Sequence, residues 1–324
     1  LAARGRPVLF LGLALVLSTA AGCIDPLSLG VEAPQPKPLV VDGVMTNGPG
    51  PHTVRLSRAA AFEQSLEGQT RSVSGATVLV VDETASDSVR LEEGMRSGTY
   101  RSTEGALVGT PGHAYRLHVT LDDGTRYRSS TETMPPPVPI DSLSVSFDPD
   151  PSPGFAVTVN ADEPDGPPRF YRWSTRGTFQ APVLPTPLDP PFFCWADDGP
   201  GASVPVLDDR LVDGGRIVGE RVRVVAATGK TSMAYQVDVR QRTLTRDAFA
   251  FWEAVETQVE QTGSTFDPPP SPVLGNIVNV SDPDAAPLGF FRAVGETQST
   301  VCVRARDFPD APFPRLGPGD EACA

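Results

Sequence analysis

The chain has 324 residues, among them 35 prolines and 30 glycines, which is enough length for two domains and favours short strands joined by turns. Its formal charge is −13, which argues against a nucleic-acid partner, because phosphate binding relies on concentrated lysine and arginine. Acidic surfaces are common on soluble proteins, so the charge excludes one class of partner without proposing another.

The first 23 residues predict export and a lipid anchor. Arg4 and Arg6 precede an apolar run over 8–17, which is too short to span a bilayer but is typical of a secretory signal. Small residues then lead to Cys23, and the stretch resembles a bacterial lipoprotein signal with its lipobox. We expect residues 1–22 to be a signal peptide and Cys23 to carry acyl chains such as palmitate, which bind membranes stably. A plain signal peptide with a chance cysteine nearby is the alternative.

Residues 23–38 are predicted to form an extended tether from the lipidated cysteine. Pro34, Pro36 and Pro38 alternate with other residues, a pattern that favours the polyproline conformation. Asp25 is third rather than second in a chain that begins at the cysteine. By analogy with bacterial sorting rules, this favours the outer membrane, on its periplasmic or cell-surface side.

Residues 39–134 are predicted to form a first β-sandwich of the immunoglobulin-like or prealbumin-like type. Apolar and polar residues alternate as in half-buried antiparallel strands, and Asp123-Gly124 predicts a tight hairpin. A proline-rich joint at 135–141 follows, because proline cannot donate the hydrogen bonds of a strand ladder. The predicted strands cover residues 39–45, 53–58, 76–82, 114–120 and 125–131.

Residues 142–306 are predicted to form a second β-sandwich, which gives a mainly β fold of two sandwiches. A proline- and aspartate-rich insertion interrupts it at 180–215, and residues 307–324 form an irregular tail. One helix is predicted over 245–261, because Thr245 can cap it and apolar residues recur at helical spacing, which makes its aromatic residues core residues. The predicted strands cover residues 142–147, 155–160, 170–175, 221–226, 234–241, 288–294 and 300–305.

A set of short segments runs from Cys23 to about Val303, nearly the full mature chain. The segments are the lipobox cysteine, LVVDG, VSGATVLVVD, SGTYR, TRDAFAFWEAV, FDPPPSPVLGNIVN and LGFFRA. As a set they resemble Bacteroidetes lipoproteins grouped as the domain of unknown function 4249 family. The resemblance implies a cell-envelope lipoprotein, often found beside TonB-dependent outer-membrane receptors, and it brings no activity.

The residues that commonly carry chemistry form no pattern that predicts catalysis, a metal or a cofactor. His113 and His118 lie five apart in the stretch PGHAYRLHVT. In a regular strand an odd separation places them on opposite faces, so they cannot share a metal. Residues 229–231 (GKT) imitate the end of a phosphate loop without its first glycine, and we interpret them as a hairpin turn. The acidic segments 162–166 and 282–284 are interpreted as solvated turns rather than calcium loops.

The proline-rich segment 266–279 (FDPPPSPVLGNIVN) has two interpretations. The favoured one is a stiff connector that packs over the aromatic face of the helix, in which Gly275 permits a bend and the amide of Asn276 ties it to backbone groups. The other is a binding rim that the segment forms together with the insertion. The candidate rim residues are Phe192, Trp195, Asp267 and Asn276.

The four cysteines predict one disulfide bond. With Cys23 committed to lipid, three remain in an exported protein, and one of them must stay unpaired. Cys194 and Cys323 both lie in irregular segments, so a Cys194–Cys323 bridge would pin both of them. A Cys194–Cys302 bridge is the alternative.

Together these features predict a lipid-anchored envelope protein that acts as a non-catalytic binding or accessory module. Its predicted partners are the membrane, through the anchor, and a TonB-dependent outer-membrane receptor, while the ligand is unknown. Two other functions stay open. One is a structural or adhesive surface protein, and the other is an envelope hydrolase with unrecognised carboxylates.

Overall fold

A computed structural model describes the body of the chain. The described residues are 37–59, 71–149, 153–162, 169–183, 192–201, 205–211, 216–231, 233–261, 273–304 and 307–309. Those from Pro38 onward belong to one compact unit. Strand predominates in this unit, which confirms the predicted mainly β fold. The predicted signal peptide and nearly all of the predicted tether lie outside the described residues. No helix within the described residues is both long and apolar enough to cross a bilayer.

The first part of the chain forms short strands whose buried apolar residues alternate with more exposed ones. They are β1 (Leu39–Thr46), β2 (Thr53–Arg58), β3 (Arg71–Ser72), β4 (Thr77–Asp82), β5 (Asp87–Glu93), β6 (Thr99–Arg101), β7 (Ala114–Thr120), β8 (Arg126–Ser129) and β9 (Glu132–Thr133). Strands β7 and β8 pair antiparallel around a turn in which Gly124 has a φ of 84°, which confirms the predicted hairpin. Alternation therefore predicts β1, β2, β4, β7 and β8, in which one face is buried. The sequence did not predict β3, β5, β6 and β9.

The second part of the chain has longer strands and a helix. They are β10 (Ser142–Asp148), β11 (Gly154–Asp162), β12 (Phe170–Val183), β13 (Phe192–Pro200), β14 (Val206–Asp208), β15 (Arg216–Ala226), β16 (Ala234–Leu244), α1 (Arg246–Gln261), β17 (Ile277–Asn279) and β18 (Leu288–Arg304). The predicted irregular insertion at 180–215 is wrong for much of its described part, since β13, β14 and the end of β12 fall there. Strand β13 lies at the edge of the sheet, and an edge strand tolerates proline.

Two sheets hold these strands. The larger follows the order β13-β12-β16-β18-β1-β2-β6-β5-β4-β7-β8-β17, with β14, β3 and β9 as side branches, and the smaller is β10-β11-β15. Strand β18 pairs with β1 in parallel through its first half and with β16 through its second half. Its Phe291 and Ala293 therefore lie in the first core, and its Val303 lies in the second. The first core thus includes residues that the sequence assigned to the second sandwich.

The proline-rich joint is held firmly between the two cores. The carbonyl oxygen of Val138 accepts hydrogen bonds from the Gln241 side-chain amide (2.9 Å) and the Thr297 hydroxyl (2.7 Å). A Cβ added at Gly295 would come within 2.6 Å of the Pro135 carbonyl oxygen, so only glycine admits the joint this closely. The joint is part of the packed structure, which local composition does not reveal.

Helix α1 packs against the face of the larger sheet that carries Phe170, which we call the outer face. The hydroxyl oxygen of Thr245 accepts a hydrogen bond from the Ala248 amide (3.2 Å), which confirms the predicted cap. Phe249 packs against Phe170 with ring centres 4.9 Å apart. Trp252, in contrast, is only half-buried, so it is not the fully buried core residue that its spacing predicts.

Candidate functional site

Beyond helix α1, the outer face of the larger sheet becomes polar. Arg172, Arg242 and Glu296 stand directly opposite one another on β12, β16 and β18. Opposed residues on neighbouring strands project from the same face, and so does Arg292, which lies four residues before Glu296 on the same strand. We call Arg172, Arg242 and Arg292 the arginine cluster.

Two members of the arginine cluster have carboxylate partners. Arg292 donates a hydrogen bond from a terminal nitrogen to Asp42 Oδ1 at 2.8 Å. Arg242 donates from Nε to Glu296 Oε2 at 2.7 Å. Arg242 and Arg292 are buried, so these charged groups lie where solvent screens them weakly.

The third member, Arg172, has no carboxylate partner among the described residues. Its guanidinium carbon lies 3.7 Å from the centre of the Trp252 ring, and that of Arg292 lies 5.0 Å from the same centre. Stacking on an indole face stabilises a guanidinium and fixes its plane. Trp252 therefore holds Arg172 in one orientation on the sheet surface.

The cluster carries an excess of positive charge. Burial, together with repulsion from Arg292 and Arg242, lowers the pKa of Arg172 to about 9. Burial likewise lowers the pKa of Arg242, although Glu296 opposes it. Burial would raise the pKa of Asp42, but the charge and hydrogen bond of Arg292, together with the charges of Arg55 and Arg172, outweigh that effect and hold this pKa below its ordinary value.

A pocket of about 620 Å³ adjoins the cluster on the same face. The loop 47–52 between β1 and β2 forms one wall, and Arg240, Arg242 and Glu296 contribute to another. Arg101 from β6 also lines it. The volume is within the range of small-molecule sites.

Hydrogen bonds fix the loop wall of the pocket. The His52 ring donates from Nε2 to the Leu107 carbonyl oxygen (2.8 Å) and accepts at Nδ1 from the Thr46 amide (3.4 Å), an assignment that fits both contacts. Burial lowers the pKa of His52, so the ring is neutral at pH 7. The Asn47 side chain accepts a hydrogen bond from the Glu296 amide at 2.6 Å. The pocket is therefore bounded by a preorganised wall.

Two of the predicted rim residues, Trp195 and Asn276, have described side chains, and they belong to opposite ends of the strand order. Trp195 is exposed over 54% of its surface, on the edge strand β13. Asn276 precedes β17, at the other end of the strand order, where its side-chain amide bonds the backbone N–H (2.9 Å) and carbonyl (2.8 Å) of Phe291. Phe192 belongs to β13, but its side chain lies outside the description, as does all of Asp267.

The described end of the proline-rich segment, residues 273–279, has an architectural role. A Cβ at Gly275 would lie 1.5 Å from the Gly289 carbonyl oxygen, so glycine allows the two backbones to touch. Leu274 and Phe251 line a groove between this segment and helix α1. These contacts fit the connector interpretation.

The two cysteines within the described residues are in different states. Cys194 is disulfide-bonded, whereas Cys302 on β18 carries a free thiol. The Cys194–Cys302 alternative is therefore wrong, because Cys302 is free. The sequence could not exclude this bridge, since it does not show which strand faces the insertion. Cys23 and Cys323 lie outside the described residues, so lipidation of the former and a Cys194–Cys323 bridge stay predictions.

Other sequence candidates show no shared site. Within the ranges that the structure describes, no three His, Cys, Asp or Glu residues are grouped to hold a metal ion. The Nδ1 atom of His113 lies 2.8 Å from Asp82, whereas His118 is exposed on β7. Gly229–Thr231 is a short 3-10 turn between β15 and β16. The hairpin interpretation is wrong, because these two strands belong to different sheets and do not pair.

The sequence did not predict the arginine cluster. Arg172 and Arg292 fall inside predicted strands, and Arg242 falls one residue beyond another. Alternation could have placed each of them on a strand face, but nothing local shows that these strands are neighbours. Only the sheet order brings the three together.

Comparison with known proteins places the chain in a family. No curated protein shows significant similarity to it. A family model matches residues 24–300, which include every strand from β1 to β17, most of β18, and the whole arginine cluster. The chain therefore belongs to the family described as domain of unknown function 4249.

Proposed function

We propose that this protein is a non-catalytic binding module of the cell envelope that takes up a small ligand in the pocket beside the arginine cluster. The observation that carries the proposal is the pocket itself, about 620 Å³ in volume, with arginine side chains rising from a rigid sheet opposite a fixed loop. Binding sites of this kind are concave, largely preformed and supplied with a few oriented polar groups.

The roles of the titratable groups at the pocket favour binding over proton transfer. Both ring nitrogens of His52 are engaged by backbone groups. Glu296 is held through its carboxylate by Arg242. An acid–base catalyst needs a free nitrogen or oxygen within reach of its substrate. Because these groups are already engaged, they support the shape and charge of a binding site instead.

The proposed location is the outer membrane, with lipid on Cys23 as the anchor. The lipobox-like sequence before that cysteine supports the anchor, and the family resemblance supports an accessory role beside a TonB-dependent receptor. The edge strand β13 offers a surface for such a partner, because Phe193 and Trp195 are both half exposed on it.

A structural or adhesive role is the second candidate. The same exposed aromatic edge favours it, since an unpaired strand edge can also pair with another copy or another surface protein. The two roles predict different partners at β13.

Lipidation of Cys23 can be tested by metabolic labelling with a palmitate analogue. The full chain should incorporate the label when it is expressed with its N-terminal segment in a Gram-negative host. The Cys23→Ser variant should lose the label and leave the membrane fraction. Equal labelling of both proteins would contradict the anchor.

The partner can be tested by photo-crosslinking in intact cells. A photoreactive residue at Trp195 should capture an outer-membrane receptor, whereas the same residue at the fully exposed Met95, in the turn between β5 and β6, should not. Capture of further copies of this chain at Trp195 would favour the adhesive role. Equal yields of one partner at both positions would count against β13 as the contact surface.

A further inference from the structure

Among the residues that the structure describes, the arginine cluster lacks one negative charge. Its three guanidinium groups face two carboxylates, those of Asp42 and Glu296. Asp42 also lies 3.7 Å from Arg55, so its charge is shared. The remaining cation lies on a protein whose overall charge is −13, so it does not reflect a generally basic surface. A local positive field of this kind attracts anions.

Unsatisfied donors occur in the same place. Within the described residues, the buried Nε atoms of Arg172 and Arg292 and the indole nitrogen of Trp252 have no hydrogen-bond partner. Buried N–H groups are nearly always paired in folded proteins, and an unpaired one reduces stability. Burial, together with repulsion from the other two arginines, also lowers the pKa of Arg172.

The cluster is preorganised to hold an oxyanion. Trp252 fixes the plane of the Arg172 guanidinium, and Glu296 fixes that of Arg242 on the neighbouring strand. Two planar guanidinium groups side by side can donate paired hydrogen bonds to a carboxylate or phosphate, which a flexible ammonium group cannot do as well.

We infer that the ligand is a small anion whose carboxylate or phosphate group binds Arg172 and Arg242, while the rest of the molecule occupies the adjoining pocket. This inference rests on the proposed function, because it names the ligand class of the same pocket. A small ligand fits the pocket volume of about 620 Å³.

Citrate and inorganic phosphate are suitable probes for calorimetry and for thermal melting of the full chain. Each should bind saturably and raise the melting temperature, whereas chloride at equal ionic strength should not. Tighter binding of citrate assigns a carboxylate, and tighter binding of phosphate assigns a phosphoryl group. Tryptophan fluorescence should change on binding, because Trp252 stacks on the binding residue.

Arg172→Gln should weaken binding of the better probe about tenfold or more, as expected for loss of charge-assisted hydrogen bonds. Arg172→Lys should weaken it less, because the charge remains without the planar fork. Arg176→Gln is the matched control on the same strand and face, since Arg176 is exposed and already paired with Asp197, and it should bind like the parent.

Absence of saturable binding by both probes would overturn the inference, and so would unchanged binding by Arg172→Gln. Circular dichroism would show whether Arg172→Gln is folded. If it is not folded, Arg172→Lys becomes the test, and unchanged binding by that variant would overturn the role of the planar Arg172 guanidinium. Either failure concerns the ligand of the pocket, and it leaves the envelope location and the accessory role intact if the crosslinking experiment still captures a receptor at Trp195. Loss of lipid labelling and crosslinking, in contrast, would reject the envelope location and the accessory role whatever the anion result.

Discussion

Glu132 on β9 is a buried carboxylate where three parts of the chain meet. It is only 3% exposed, and it accepts hydrogen bonds from the hydroxyl of Thr245 at the start of helix α1 (2.7 Å) and from the amide of Asn276 (3.4 Å). Burial raises its pKa to about 7, with a smaller contribution from the charge of Asp247, while the Thr245 hydrogen bond opposes the rise. The protonated acid is therefore the form that the folded state prefers.

This preference predicts that the folded state loses stability as the pH rises toward the pKa of Glu132. Between the ordinary value of 4.5 and about 7, the folded state keeps a proton that the unfolded chain has lost. The free energy of unfolding should therefore fall across this window, by roughly 3 kcal/mol, and stay level above it. Glu132→Gln mimics the protonated acid, so the parent should lose about that much stability relative to this variant in urea unfolding between pH 4.5 and pH 7.5.

Glu253→Gln provides the control for this prediction. Glu253 is exposed on helix α1, so its replacement should leave the pH dependence of the parent unchanged. If Glu132→Gln and the parent have parallel pH profiles, the carboxylate is not protonated in the folded state.

Helix α1 shows how far local sequence reaches at the scale of one element. Its start at Thr245 and its apolar spacing were visible, because capping and helical periodicity are local properties. The spacing could not distinguish Phe249 from Trp252, because that depends on the strands beneath. Phe249 meets an apolar ring, whereas Trp252 meets the guanidinium groups of the arginine cluster.

The two aromatic residues should therefore differ in their contribution to stability. Phe249→Ala removes a buried ring from an apolar cluster and should cost about 3–5 kcal/mol in chemical denaturation. Trp252→Ala removes a half-buried ring stacked on Arg172, and we expect a smaller cost, of about 1–2 kcal/mol. Equal costs would mean that Trp252 is a core residue, as its spacing alone predicts.

At the scale of the whole molecule, the sequence predicted where strands lie along the chain much better than which strands lie side by side in the sheets. Asp42 and Arg292 are separated by 250 residues, yet they form an ion pair because β1 and β18 lie side by side. Asp42 belongs to the motif LVVDG and Arg292 to the motif LGFFRA, and neither motif shows that it lies beside the other in the fold. Non-local pairing thus explains why the fold class was predictable and the arginine cluster was not.

The shared strand β18 has a consequence for unfolding. Its two halves belong to different cores, and the proline-rich joint is bonded to β16 and β18. A boundary crossed by a continuous strand cannot open without breaking ladder hydrogen bonds in both parts. We therefore expect the described body to unfold as one cooperative unit rather than as two domains.

Hydrogen exchange can test this with one core substitution in each part. Leu117→Ala on β7 removes a buried side chain from the first core, and Phe155→Ala on β11 removes one from the second. Each should lower the free energy of unfolding by roughly 2–5 kcal/mol. In a cooperative unit, either variant accelerates the slowest exchanging amides of both β4 and β16 by the same factor. If Leu117→Ala accelerates β4 alone while β16 keeps its protection, β18 does not couple the cores and the two parts are independent domains.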